Sequence, residues 1–584
     1  MHKETGSETP KKYLQKLLNS ALKDLGFPAV NLEITVPEPR FGDYSSNAAL
    51  VLSKQLKKNP KELAAQIIEQ VLKLDENKNL ASATEAGGFI NFSLAPQVYL
   101  QNLNKIIEQR DLYGCSIMGE GKTVVVEYFQ NNVAKPPHVG HLRSAVIGDS
   151  LLRILRSQGY KAISDTHIGD WGVQFGILIY AYKTMGDKAL IEKHPINELN
   201  KLYVAMSAKI KVDESLRDKG KQEFVKLEQG DTENRELWQW FVRVSLEDFE
   251  AYRKLLDVLR FDHNLGESFY EDKMPAVLEE FKSKGLVTVG ESGEQYVDLE
   301  AYGLGRCILV KSDGATTYHM RDFATYIYRK EKFKFFKNIY VVDNRQAHHF
   351  KQLFKVLDLA GYPASQDSEH VDFGFMSLPE GAISTRKGTT ISLQNLLDEG
   401  HKRALAIINE KNPELENKDA VAKLVALAAI KYFDLSHNRK SEIVFTWDKA
   451  LSFEGNTGPY LQYTHARIHG IFRKLATDEN LSLKDLISDS QITLALTAAD
   501  SSILQKLIQF SDVVAQVSQD YLPNLLCNYL FELAQLFNFF YQGTPVLKEK
   551  DLELRKFRLR LVMGVAQIID NGLNLLGIEA PEEM

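Results

Sequence analysis

The stretch T-V-V-V-E-Y-F-Q-N-N-V-A-K-P-P-H-V-G-H-L-R-S-A-V-I-G-D, residues 123–149, decides the fold. It opens on a β-branched apolar run, the pattern of a strand covered on both faces of a parallel sheet. It closes on an apolar-periodic segment, predicted as a helix from about Leu142 to Ser157 and stopped by Gly159. In the turn between them, His138 and His141 flank Gly140. A helix N-terminus offers unpaired N–H groups and the positive end of a dipole, and so favours phosphate. The imidazoles add hydrogen bonds to triphosphate oxygens, and Gly140 lets a flat purine approach the backbone. Pro136 and Pro137 stiffen the approach. H-x-G-H alone also fits a plain surface turn; its position between a buried strand and a helix favours the nucleotide reading.

C-terminal to this stretch, K-A-I-S-D-T-H-I reads as the next strand. Residues from about 183 to 258 are charged and helical, and read as an insertion. Strand signals return in R-C-I-L-V-K, A-T-T-Y and N-I-Y-V-V-D. This alternation predicts an α/β, Rossmann-like catalytic domain, a parallel doubly wound sheet split by a helical insertion, over residues 118–415. Residues 1–117 read as an α+β domain, with helical spacing at Leu14, Leu17, Leu18 and Leu22, a helix opened by Pro60 and a strand in G-G-F-I-N-F-S-L. From 416 the strand signal fades, A-V-A-K-L-V-A-L-A-A-I-K-Y-F-D-L is one apolar-periodic helix, and residues 416–584 read as an all-α bundle.

The chain has 584 residues, enough for several domains, and its 44% hydrophobic and 25% charged residues exclude disordered, collagen-like and low-complexity classes. Its three cysteines form no C-x-x-C pair, which excludes a disulfide scaffold and suits a reducing compartment. The first twelve residues carry no secretory signal, and no apolar run suits a bilayer, so a soluble, cytoplasmic protein is expected. The net charge of −6 is an average, and a local basic face can still bind phosphate.

A second motif, A-I-S-T-R-K-G-T-T-I-S-L (382–393), puts Ser384, Thr385, Arg386 and Lys387 before Gly388. Hydroxyls with two cations suit a polyphosphate that is held and then released, although basic loops are also commonly just solvated. Together the two motifs resemble the paired signatures of class I aminoacyl-tRNA synthetases. S-D-T-H-I-G-D-W-G-V-Q-F-G (164–176), T-T-Y-H-M-R-D (316–322), V-V-D-N-R-Q-A-H-H-F (341–350) and G-N-T-G-P-Y-L-Q-Y-T-H-A-R-I (455–468) resemble the arginyl-tRNA synthetase family. So do the N-terminal G-D-Y-S-S-N-A-A-L with G-G-F-I-N-F and the ending G-L-N-L-L-G-I-E-A-P-E-E-M, so that the resemblance spans nearly the whole chain.

The resemblance implies ATP-dependent ligation of L-arginine to tRNA(Arg) through an arginyl-adenylate, with release of AMP and pyrophosphate. It implies that Tyr318 and Asp322 bind the guanidinium of the substrate, and that Glu127, Asn132, His141, Gln346 and Glu267 complete the arginine site. ATP then lies against His138, Gly140 and His141, with Ser384, Thr385 and Lys387. Thr385 stands where many class I enzymes carry lysine; in arginyl enzymes a lysine just upstream of the first signature is thought to replace it, here Lys135. Arg386 and Lys387 assist from the second motif. Magnesium is expected with the triphosphate, with no metal site of the protein's own. The bundle reads the anticodon, with Tyr460, Tyr463 and Arg467 against the tRNA, and the N-terminal domain reaches the tRNA elbow through Phe89 and Asn91. His465 and His469 stand four apart, a possible metal pair with no third ligand nearby. A monomer with no membrane partner is expected. The alternatives are a class I synthetase for another amino acid, a non-catalytic tRNA-binding paralogue and a small nucleotidylyltransferase. Carboxylates at 127 and 322 argue for a cationic substrate.

Overall fold

The computed structural model describes residues 9–379, 381–382, 392–479, 496–544 and 546–584. At its centre is a four-stranded, all-parallel sheet in the order Ser368–His370, Lys337–Tyr340, Thr123–Glu127, Lys161–Asp165. The first strand of this unit in sequence, Thr123–Glu127, is internal. The chain leaves it towards Lys161–Asp165 on one side, and Lys337–Tyr340 is added on the other. That reversal of direction is the crevice in which open α/β sheets bind ligands.

The helix after the first strand runs Val139–Ser157, three residues earlier than its apolar pattern suggests. His138 is its N-cap, so the signature turn and the helix start are one structure. The helical insertion is present as five helices from Val173–Met185 to Thr232–Leu255, and starts before residue 183 because V-Q-F-G-I-L-I-Y also packs as helix. Two strand expectations need correction. R-C-I-L-V-K does form a strand, Arg306–Val310, but it pairs antiparallel with Gln295–Asp298 in a separate three-stranded sheet. A-T-T-Y is no strand: the chain turns back at Gly314, Thr316 makes one bridge to Val310, and Tyr318 opens the helix Tyr318–Phe333.

In the N-terminal part, helices Pro10–Asp24, Ala48–Leu56 and Pro60–Leu74 share a core with a four-stranded antiparallel sheet through Leu14, Leu18, Leu52, Ile67, Ile90 and Phe92. One of its strands, Leu80–Ala86, has the sequence L-A-S-A-T-E-A, which carries little strand propensity. It forms because the Gly87–Gly88 turn, both at positive φ, folds it back onto the strongly apolar Phe89–Leu94.

Helix Lys418–Leu435 opens a helical C-terminal part that ends with Asn524–Gly543 and Leu552–Leu575. Among the described residues a short strand, Ile443–Val444, interrupts the helices and pairs parallel with Met376–Leu378. A single hydrophobic core runs from Val124 and Leu142 through Val425 and Ile430 to Leu530 and Ile569, so the sheet and the bundle share an interior. Helix Pro96–Gln109 packs on Leu552–Leu575, and Asn571 donates to the carbonyls of Arg110 (2.9 Å) and Tyr113 (3.1 Å). Among the described residues no helix is long and apolar enough to cross a membrane.

Candidate active site

Glu127, Asp165 and Tyr340 end three neighbouring strands and are aligned by register. Buried Arg329, from the helix Tyr318–Phe333, lies across this row. Its Nη1 is 2.6 Å from Glu127 Oε2 and its Nη2 is 2.7 Å from Asp165 Oδ2. The other Glu127 oxygen accepts from Gln130 Nε2 at 3.2 Å. Glu127 is thus held inside the crest of the sheet by a guanidinium of the protein itself. Buried like charges at strand ends need such a counter-ion, since isolated ionised carboxylates are costly to desolvate.

Beyond Glu127 the chain passes through two non-glycine residues at positive φ, Phe129 (58°) and Ala134 (62°). Strain of this kind persists only where surroundings fix it. Here the Phe129 N–H donates to Ser144 Oγ (2.9 Å) and the Ala134 N–H to Ser245 Oγ of the insertion (3.3 Å). Asn132 lies between them and bridges Gly169; a Cβ on Gly169 would come within 2.3 Å of Asn132 Oδ1.

At the signature turn the two imidazoles are stacked, centroids 4.0 Å apart. His138 Nδ1 accepts from the Gly140 N–H (3.0 Å), and His141 Nδ1 accepts from the His138 N–H (3.2 Å). Each neutral ring therefore carries its proton on Nε2, as a donor away from the backbone. Burial, together with His138 and Lys135, pushes the His141 pKa down to about 3. Burial, with Arg345 and Lys135, also lowers that of His138. Lys135 is part-buried with its ammonium over the Tyr203 ring at 5.4 Å, and burial lowers its pKa. The site thus offers neutral donors and one lysine at a helix start, which suits an incoming polyanion.

Asp322 is on the first turns of the helix Tyr318–Phe333, with Tyr318 four residues before it. Its Oδ2 is 2.6 Å from His349 Nε2, and its Oδ1 is 3.8 Å from His167 Nε2. Burial alone would raise its pKa, but the hydrogen bond and charge of His349, with His167 and His319, hold it below its ordinary value. Asp322 does not pair with Arg321 or Arg329: Arg321 pairs with Glu267 at 3.0 Å, and Arg329 with the strand-end carboxylates. Burial raises the pKa of Glu267 despite Arg321. Tyr318 is 56% exposed, its ring 5.0 Å from those of His319 and His349. Gln346 is exposed, at the start of helix Ala347–Leu359.

Ser384, Thr385, Arg386 and Lys387 lie outside the described residues. Their flanks are placed. Gly381–Ala382 pairs with Met376–Leu378, Ser392 bridges His138, and the Leu393 N–H donates to the Pro137 carbonyl at 3.2 Å. The segment carrying the second motif therefore rejoins the fold beside the first.

Tyr460, Tyr463 and Arg467 lie on one helix, Gly458–Glu479, and Asn538 gathers them. Asn538 donates to Tyr460 Oη (2.8 Å) and accepts from Arg467 Nη1 (2.7 Å), while Arg467 Nη2 donates to Tyr463 Oη (3.0 Å). Tyr463 is 39% exposed. In the N-terminal sheet Phe89 is 43% exposed, whereas Asn91 is 4% exposed and presents no side chain to solvent. His465 bonds the Pro581 carbonyl at 3.0 Å and serves the C-terminal tail. Among the described residues no three His, Cys, Asp or Glu side chains are grouped to hold a metal ion.

Residues that sequence reasoning missed are Arg329, Arg345, His319 and His349. Arg345 is held by Asp343 at 2.8 Å and is close enough to His138 to depress its pKa. Its place between Asn344 and Gln346 was the available signal. His319 and His349 lie inside the quoted segments 316–322 and 341–350, but their contact with each other and with Asp322, like that of Arg329 with Glu127 and Asp165, joins residues distant in sequence.

Comparison with known proteins agrees with this geometry. The description "tRNA synthetases class I (R), catalytic domain" matches residues 102–447. The "DALR anticodon binding domain" matches 461–584, and the "Arginyl tRNA synthetase N terminal domain" matches 12–94. The arginine–tRNA ligase of Alkaliphilus metalliredigens is 40% identical, over 98% of this chain and 99% of its own. That of Clostridioides difficile is 39% identical over the same shares. The solved arginyl-tRNA synthetase of Thermus thermophilus is 26% identical with a TM-score of 0.83, over 98% of this chain and all of its own. That of Plasmodium falciparum is 25% identical with the same TM-score, over the whole of both chains. The chain belongs to the class I tRNA synthetases and, within them, to the arginyl-tRNA synthetase family.

Proposed function

We infer that this chain ligates L-arginine to tRNA(Arg) using ATP. The observation that carries the reading is Asp322, a carboxylate held ionised by neighbouring imidazoles, in the same strand-end region as a helix start lined by neutral histidines and a lysine. The first suits a guanidinium and the second a triphosphate. The substrate carboxylate attacks the α-phosphorus of ATP, forming arginyl-adenylate as the bond to pyrophosphate breaks. A terminal ribose hydroxyl of tRNA then attacks the activated carbonyl, and AMP leaves. No side-chain nucleophile is needed, and rate comes from positioning and charge stabilisation.

In this reading the Nε2–H groups of His138 and His141 donate to phosphate oxygens, and Gly140 lies under the adenosine. Lys135 neutralises the departing pyrophosphate, joined by Ser384, Thr385, Arg386 and Lys387. Tyr318 and Asp322 take the guanidinium, with Asn132, Gln346 and Glu267 around the rest of arginine. Glu127 acts at the α-amino end, with its orientation fixed by Arg329. Magnesium arrives with ATP, carried by phosphate and water. Residues 1–117, 118–415 and 416–584 act as elbow-binding, catalytic and anticodon-binding domains, the last through Tyr460, Tyr463 and Arg467, the first through Phe89. The protein works as a cytoplasmic monomer.

Charging of total tRNA with each standard amino acid, beside ATP–pyrophosphate exchange with and without tRNA, tests the reading. Charging with arginine alone is the expected result. Charging with another amino acid would overturn the pocket assignment, and tight tRNA binding without charging would overturn catalysis.

A further inference from the structure

Asp322 is not free in its pocket but ends a chain of three side chains. His349 Nε2 is 2.6 Å from Asp322 Oδ2, and His349 Nδ1 is 2.9 Å from His319 Nε2. Both histidines are buried. Burial and the neighbouring His349 push the His319 pKa down to about 4, so that ring is neutral. An ionised carboxylate only accepts, so His349 carries a proton on Nε2, facing Asp322. Behind it His319 and His349 share one hydrogen bond, so the geometry sets the order of the chain as His319, His349, Asp322. Tyr318 covers both rings, and the edge of Phe350 meets His349 at 5.4 Å. The imidazoles thus have little room to rotate.

The two Asp322 oxygens are treated differently. One lone-pair set, on Oδ2, is engaged by His349, and Oδ1 has His167 Nε2 near it only at 3.8 Å, beyond hydrogen-bond reach. Held below its ordinary pKa despite burial, through the hydrogen bond from His349, the group keeps its negative charge for a cation.

We propose that His349, oriented by His319, is a positioning residue that fixes the plane of Asp322 and thereby sets the affinity for the guanidinium of arginine. The proposal rests on the reading of Asp322 as the guanidinium receptor. It requires that loss of the His349 N–H weaken arginine binding selectively, since ATP binds elsewhere in the crevice.

The test is steady-state charging by the full-length protein with cognate tRNA, reading KM for arginine, KM for ATP and kcat in four variants. His349→Phe keeps a ring and removes the hydrogen bond; it is expected to raise the arginine KM by about tenfold or more, as for loss of a bond to a charged group, with the ATP KM unmoved. His349→Gln restores an N–H near the same place and should return the arginine KM towards that of the unaltered protein. Asp322→Asn should raise it further than His349→Phe. An unmoved arginine KM in His349→Phe, with a raised one in Asp322→Asn, overturns the proposal and leaves the guanidinium reading standing. An unmoved arginine KM in Asp322→Asn overturns both. Equal rises for arginine and ATP in His349→Phe, or failure of Gln to rescue, also overturn it, in favour of a packing role. If His349→Phe does not fold, His319→Phe reads the chain one step back: a raised arginine KM alone supports the proposal, and an unmoved one overturns it.

Discussion

Arg143 and Asp434, 291 residues apart in the chain, form a fully buried ion pair with Nη2 3.0 Å from Oδ1. Arg143 is on the signature helix, and Asp434 is on the first long helix of the C-terminal part. The same guanidinium donates to the carbonyls of Gly374 (2.6 Å) and Ser441 (3.2 Å), so one side chain fastens the signature helix to the segment after the edge strand Ser368–His370 and to the bundle. Replacing Asp434 by Asn leaves a buried guanidinium without its counter-charge. The expected loss of stability is about 3–5 kcal/mol, the usual cost of breaking a buried pair from one side. Urea titration of Asp434→Asn checks it; a midpoint equal to that of the unaltered protein would refute the coupling.

Lys135→Met keeps the stem against Tyr203 and removes the charge. Its effect should fall on amino-acid activation, with kcat lowered on the order of 10²–10³-fold, the range for one electrostatic group at a transition state. Pyrophosphate exchange in the presence of tRNA reads this step. A change confined to the KM for arginine would place Lys135 in a different role.

Gly169→Ala should raise the arginine KM. The new methyl meets Asn132 Oδ1 and must displace the side chain at the site. Since Gly169 also binds the Val133 N–H and donates to the Asn131 carbonyl, the shift is transmitted along the loop. Arginine titration by charging kinetics decides it, with an unaltered KM as the contrary result.

Arg467, half-buried, places its guanidinium 4.6 Å over the exposed ring of Tyr463. Tyr463→Ala should raise the KM for tRNA while leaving those for arginine and ATP unchanged. A stacked base is worth about 1–3 kcal/mol, roughly 5–150-fold in affinity. A tRNA filter-binding titration with no change in Kd would remove Tyr463 from the interface.

His141 also makes a prediction in pH. Its folded pKa of about 3 lies below the ordinary value of 6.5, so between these two the unfolded chain binds a proton that the folded one does not. Stability contributed by the neutral ring is complete above about pH 6.5 and falls as pH drops towards 3. His141→Asn should flatten this part of a melting-temperature profile. A profile of unchanged slope would show that His141 is not the group responsible.

The geometry of the signature turn was legible because its chemistry is local. H-V-G-H places two rings and a helix start within four residues, and the N-cap bonds that fix both tautomers are made inside that turn. Tyr318 and Asp322 share a helical face by their spacing alone. The strand misreadings have an equally local cause. R-C-I-L-V-K is apolar and β-branched in either sheet type, and only its partner Gln295–Asp298 decides that it is antiparallel. A-T-T-Y has strand-like residues but sits after a tight turn that leads into a helix.

Periodicity, turn chemistry and the alternation of strands with helices were enough to read the parallel α/β centre, the helix start at the H-V-G-H turn and the helical C-terminal third. Which partner each buried charge takes was set instead by packing between elements distant in the chain. Glu127 is drawn to Arg329, Glu267 to Arg321, and Asp322 is held by His349 with one oxygen left open. These pairings join residues from 27 to 202 positions apart. They are fixed by which strand ends and helices meet, and burial makes each partner matter, because in a low-dielectric interior a charge is either matched or expelled.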